Sequence, residues 1–139
     1  MGIRTVRERE KGQNLVEFAL ILPVFLLLVV GMAEFGRGWM TRNILTGAAR
    51  EGARVAAIQP DSATSITQGT LAANDVLNAA NLPAPPPVVS VDTSPGLSFP
   101  AVKVDVTYTY SVLLTGFIPG LPGPTFNLTG TATMRRERY

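Results

Sequence analysis

The chain of 139 residues contains no cysteine and no histidine. The first absence removes disulfide bonds, thiol nucleophiles and thiolate metal ligands. The second removes imidazole as a base and as a metal ligand. No stretch has the spacing of a phosphate-binding loop, because the glycines stand among prolines or within helical pattern. The aspartates beyond residue 60, Asp61, Asp75, Asp92 and Asp105, show neither the pairing of a general acid and base nor a calcium-loop spacing. Lys103 is the only lysine after residue 12, and nothing near it suggests a Ser–Lys nucleophile. These absences argue against an enzyme and against a bound cofactor or metal. An excess of one charge is lacking too. Lys plus Arg number 12 against 10 Asp plus Glu, but residues 1–12 hold Arg4, Arg7, Arg9 and Lys11 against Glu8 and Glu10. Beyond residue 12 the two signs balance, which leaves no case for a nucleic-acid partner.

What the chain does have is one long apolar run, Leu15 to Ala33, entered by a single acid, Glu17. Its 19 residues would extend about 28 Å as a helix, close to the ~30 Å hydrocarbon core of a bilayer. Pro23 lies inside the run and is expected to bend a membrane helix without ending it. The run is longer than the apolar region of a cleaved secretory signal, and no Ala-x-Ala site closes it. A single-pass N-terminal anchor is therefore expected, with a span at about residues 15–33. Four basic residues precede the span and Arg37, Arg42 and Arg50 follow it, a small bias. The short basic arm favours a cytoplasmic N-terminus and an extracytoplasmic C-terminal part.

Helical pattern continues past the span, so a transmembrane and extended helix is expected over residues 13–59, ended by Pro60. Ala48, Ala49, Gly52, Ala53, Ala56 and Ala57 share about half of its circumference, with Arg50, Glu51 and Arg54 on the other half. Ala48-Gly52-Ala56 and Ala49-Ala53-Ala57 repeat the small-xxx-small spacing that lets helix backbones approach closely. Two partners fit this face, the protein's own C-terminal domain or the helix of another subunit.

Residues 60–139 read as a small α+β domain. Ser62 to Asn81 carries Ile66, Leu71, Val76 and Leu77 at helical spacing, with Asp61 or Ser62 as N-cap. A proline-rich connector to Pro87 follows. Val88 to Asp92 is a short strand, and Thr93-Ser94-Pro95-Gly96 is a turn. From Ala101, Val102, Val104, Val106, Tyr108 and Tyr110 alternate with Lys103, Asp105, Thr107 and Thr109, the period-2 mark of a half-buried strand. The breaker-rich segment Gly116 to Pro124 is a loop, with Phe117, Ile118 and Leu121 expected to cover a sheet end or, as the second reading, to contact membrane or a partner. A third strand places Phe126, Leu128, Gly130, Ala132 and Met134 on one face, giving an antiparallel sheet of about three strands. Arg135, Arg136 and Arg138 read as a solvated end.

The string Gly12-Gln13-Asn14-Leu15-Val16-Glu17-Phe18 resembles the prepilin-peptidase site of type IV pilin-like proteins. With Glu34-Phe35-Gly36-Arg37 and Asn43 through Ala57, it is similar specifically to the TadE-like proteins of tight-adherence (Flp) pilus systems. Leu128–Glu137 resembles them more loosely. The resemblance implies a basic leader, residues 1–12, removed between Gly12 and Gln13 by a prepilin peptidase. It further implies a minor pseudopilin role in pilus biogenesis at the cytoplasmic membrane, with other pilin-like subunits and the assembly platform as partners. Glu17, fifth when Gln13 is counted as first, would then pair with the new α-amino group of its own or a neighbouring subunit. The residues alone equally allow an interfacial acid that reaches the headgroups, since the roughly 2.5–3.5 kcal/mol cost of a charge at the bilayer centre falls near an interface. Phe18 and the leucine-rich run would supply apolar contact. The competing readings are a filament-body pilin and a signal-anchored adhesin or binding module that keeps its leader.

Overall fold

A helix carried by good helix formers and an apolar run has no strong cause to stop before Pro60, and it ends at Ala57, two residues short of the expected Gln59, in a turn that leads into Pro60. In a computed structural model, residues 4–112 and 123–136 are described, with side chains from Gly12 onward. Helix α1 spans Arg4–Ala57, 54 residues, and passes Pro23 without interruption. A turn closed by Gln59 N–H donating to the Ala56 carbonyl at 3.3 Å follows it. The chain divides into two compact units, Met1–Gly36 and Arg37–Tyr139. The first contains the apolar half of α1. The second contains the remaining turns of α1 and everything after them.

Within the second unit, helix α2 spans Ser62–Ala80. Asp61 is its N-cap, with extended backbone and a carboxylate that accepts from Thr64 N–H at 2.8 Å and Thr64 Oγ1 at 2.7 Å. Asn81 ends it in the left-handed region, at φ 47°, a conformation that asparagine tolerates better than most residues. The face that α2 buries is Ser65, Gly69, Ala73 and Leu77. Ile66 and Leu71, which share helical spacing with Val76 and Leu77, stand instead 45% and 52% exposed. The reason is steric: α2 crosses α1 at a glycine pair, and the small-residue row is the one that fits there. A Cβ on Gly52 would lie 2.8 Å from the Gly69 carbonyl oxygen, and one on Gly69 would lie 2.8 Å from the Ala56 Cβ.

Three strands form an antiparallel sheet in the order β1-β2-β3: β1 Val88–Asp92, β2 Ala101–Ser111 and β3 Thr125–Arg135. β1 pairs from Val88↔Thr107 to Asp92↔Lys103, and β2 pairs with β3 from Ala101↔Arg135 to Ser111↔Thr125. The alternation is realised. Val102, Val104, Val106, Tyr108 and Tyr110 are buried, and Leu128, Ala132 and Met134 of β3 pack on the same core. Lys103, Asp105, Thr107 and Thr109 lie half-buried on the other face. There Asp105 accepts from Thr131 Oγ1 at 2.6 Å and pairs with Lys103 Nζ at 2.8 Å. Burial pushes its carboxyl upward, but the bonds from Lys103 and Thr131 outweigh that and hold it below the usual carboxylate range.

The core joins Leu45, Ala48, Ala49, Ala53 and Ala56 of α1 to the inner sheet face. Burying each Leu or Val side chain contributes about 1.5–3 kcal/mol. Gly130 of β3 sits directly on the α1 backbone, because a Cβ there would overlap Leu45 and Thr46 main-chain atoms, with the Leu45 carbonyl oxygen at 2.6 Å. Two other points fix how β2 and β3 lie along α1. The Arg37 guanidinium sits 5.2 Å above the Tyr110 ring, and Arg136 Nη2 donates to the Gln59 carbonyl at 3.2 Å. From Gly130 to Arg136 is about 20 Å of strand, and from Leu45 to Gln59 is about 20 Å of helix. The strands therefore run alongside α1. The β2–β3 hairpin end lies by Arg37 and the opposite end by Gln59. The expected loop teeth Phe117, Ile118 and Leu121, and Arg138, lie outside the described residues.

Candidate functional site

Gly12 sits on α1 with nothing within 4 Å of where a Cβ would be. No crowding within the described chain calls for glycine there, and a helix interior disfavours it by about 1 kcal/mol. Gln13 and Glu17 follow on the same helix, four residues apart and both exposed. They are therefore neighbours on one face, about 6 Å apart along the axis. Phe18 beside them is 62% exposed. The apolar residues that continue the helix, from Leu15 through Val24 and Leu28 to Met32, are likewise uncovered by the chain. The helix is long and apolar enough to cross a membrane, and none of its most apolar window is buried in protein. A surface of this size in leucine, valine and phenylalanine has to be covered by lipid or by other chains.

The other residues singled out on α1 are occupied within the second unit. Ala48, Ala49, Ala53 and Ala56 are fully buried, Ala57 is nearly so, and Gly52 is buried as well. One row meets α2, where Gly52 approaches Gly69 and Ala73, and Gly52 also faces Val104 of the sheet. Of the two partners that this face fits, the protein's own domain is the one it meets in this structure. Arg54 on the opposite side binds Glu51 in a forked contact, Nη2 to Oε1 at 2.6 Å and Nε to Oε2 at 3.0 Å. The hydrogen bond from Arg54 holds the Glu51 carboxyl below its ordinary value, and the same bond raises the guanidinium.

Arg136 departs from the expected solvated end. Its backbone N–H donates to the Pro100 carbonyl at 2.9 Å. Its guanidinium reaches the Gln59 carbonyl at 3.2 Å, Ser65 Oγ at 3.1 Å and Ser62 Oγ at 3.4 Å. It ties the end of β3 to the corner between α1 and α2, where α1 carbonyls lack helical partners. The spacing of three C-terminal arginines carries no signal of this, because the contact joins residues more than 70 positions apart. Arg136 also lines an open groove of about 750 Å³ with Pro60, Ser94, Leu97 and Phe99. It is the groove's one ionisable lining residue among the described residues, and it is already bonded to three acceptors. Among the described residues no group of three or more acidic side chains is placed to hold a metal ion.

No curated protein and no solved structure matches the chain. Residues 12–54 match the family model described as TadE-like protein. The match takes in Gly12, Gln13, Glu17, Phe18 and most of the small-residue face, and it stops short of the looser likeness in Leu128–Glu137.

Proposed function

From a TadE-like segment that carries both the uncovered apolar helix and the Gly12–Phe18 string, we propose that this protein is a minor pseudopilin of a tight-adherence pilus system. In this reading a prepilin peptidase cuts between Gly12 and Gln13 on the cytoplasmic side of the inner membrane. The extracytoplasmic domain then stays tethered by α1 while the subunit takes part in building the pilus. The observation that carries it is the coincidence of a glycine without a packing role, an acid five residues beyond it, and an apolar surface without cover, all inside the matched segment.

The chemistry assigns each residue a part. Gly12 presents a scissile peptide with no side chain on its acyl side. Cleavage turns Gln13 into a cationic terminus. Glu17 provides the opposite charge, and lipid strengthens their attraction because its low dielectric screens charges weakly. A pair between neighbours sets how far one helix is displaced along the next, and the Phe18 and leucine-rich surface then packs in that register. The buried small-residue face supports the same division of labour, because it fastens the domain to α1 and leaves the apolar half of the helix to meet other subunits.

The test is Glu17→Ala in the native host. The variant is expected to reach the membrane at the wild-type level and to lose pili counted by electron microscopy. Wild-type piliation in that strain would remove Glu17 from the assembly mechanism.

A further inference from the structure

Packing against the domain holds the later turns of α1, where Leu45, Ala48, Ala49 and Ala53 lie in the core. The fastened part begins at Arg37, whose guanidinium lies over the Tyr110 ring, and at Thr41, which is 8% exposed. Just before it Met32 is 75% exposed and Phe35 73%. Gly36 and Gly38 stand at this transition, and a Cβ on either would meet nothing within 4 Å. In a helix that no neighbour supports, propensity decides how easily the backbone opens, and each glycine favours opening about fivefold over alanine. Gly47 has as much room for a Cβ, but the core grips Leu45 and Ala48 on either side of it. Gly31 lies inside the apolar run, where lipid offers an opened backbone no water to bond.

A second feature falls on the same turn. Thr41 Oγ1 donates at 2.9 Å to the carbonyl of Arg37, the residue between the two glycines. A threonine bonded back to the carbonyl four residues earlier weakens a helix slightly and often bends it. Thr46 makes the matching bond to the Arg42 carbonyl, also at 2.9 Å, but there the helix is pressed against Gly130 of the sheet.

We propose that Gly36–Gly38 is a hinge in α1, where the helix bends and opens while the turns on either side stay intact. The chain divides into its two compact units at this same point. Such a hinge lets the domain change direction on its anchor without any loss of packing between α1 and the sheet. The inference depends neither on cleavage after Gly12 nor on a role in a pilus, because it concerns the local backbone alone.

Amide hydrogen exchange of the full-length protein in phospholipid nanodiscs, read residue by residue by NMR, tests the hinge. The amides of Arg37, Trp39 and Met40 are expected to exchange about tenfold or more faster than that of Arg50. Gly36→Ala together with Gly38→Ala is expected to slow those three roughly twentyfold and to leave Arg50 unchanged. Native exchange at Arg37 and Trp39 as slow as at Arg50, or exchange that the two alanines do not slow, overturns the proposal. Because the chain has no cysteine, pairs of nitroxide labels give an independent reading. Leu26→Cys with Arg50→Cys straddles the hinge, Met40→Cys with Arg54→Cys lies to one side of it, and all four positions are exposed. The first pair is expected to give a broad distance distribution, the second a narrow one, and the two alanines to narrow the first. A first distribution as narrow as the second contradicts the hinge, and so does one that the alanines leave broad.

Discussion

Gly47 and Gly52 stand five residues apart on one helix and answer to different constraints. A Cβ on Gly47 meets nothing within 4 Å, whereas one on Gly52 comes to 2.8 Å from the Gly69 carbonyl and 3.1 Å from the Ala73 Cβ. Gly47→Ala is therefore expected to stabilise the protein by up to about 1 kcal/mol through helix propensity. Gly52→Ala is expected to cost about 1–3 kcal/mol by overpacking the crossing. Gly130→Ala is expected to cost more than Gly52→Ala, since main-chain atoms of Leu45 and Thr46 cannot swing aside as a side chain can. Denaturant unfolding of the three variants checks the order, and equal effects at positions 47 and 52 would contradict the crossing. This contrast was half legible in the sequence. The small-xxx-small spacing marks Gly52 as a close-approach position, but the helix that approaches it cannot be read from spacing. Gly130 alternates correctly with Leu128 and Ala132, and only the register of β3 on α1 shows why that place is a glycine.

At the scale of elements, α2 depends on Asp61 at its start. Hydrogen bonds from the Thr64 hydroxyl, then from the Thr64 N–H, hold the Asp61 carboxyl below its ordinary value, with Arg136 adding a smaller pull. A carboxylate depressed in the folded state stabilises fully above its unfolded value of about 3.9 and loses that contribution as pH falls through the folded value. Thermal unfolding followed by circular dichroism is expected to show the melting temperature falling below about pH 4. In Asp61→Asn, which keeps a capping oxygen but does not titrate, that acid limb flattens. An unchanged acid limb in the variant would assign the effect to other groups, of which Glu51 and Asp105 are also depressed carboxylates. The elements themselves were readable, because period-2 alternation, Asp61 and the Pro60 break are local signals. The buried face of α2 was not. Ile66 and Leu71 match helical periodicity, but the glycine crossing turns the row of Ser65, Gly69 and Ala73 inward instead.

For the molecule as a whole, one helix joins two environments. From Leu15 to Met32 it exposes most of its leucine, valine and phenylalanine, and its later turns bury alanine and glycine in a soluble-type core. The membrane-spanning half was evident from length and composition, since those alone determine whether a helix fits a bilayer. The function rests on a shorter signal, seven residues from Gly12 to Phe18 inside the TadE-like segment. Among the described residues they make no contact that would reveal their use, which is what the proposed partners, a peptidase and neighbouring subunits, would require. The most direct measurement is the mass of the N-terminal peptide of protein purified from its own membrane, which also detects a cyclised or methylated Gln13. The account predicts a terminus at Gln13. A terminus at Met1, or at Gly2 after methionine removal, would contradict it and favour a permanently anchored binding protein that keeps its leader.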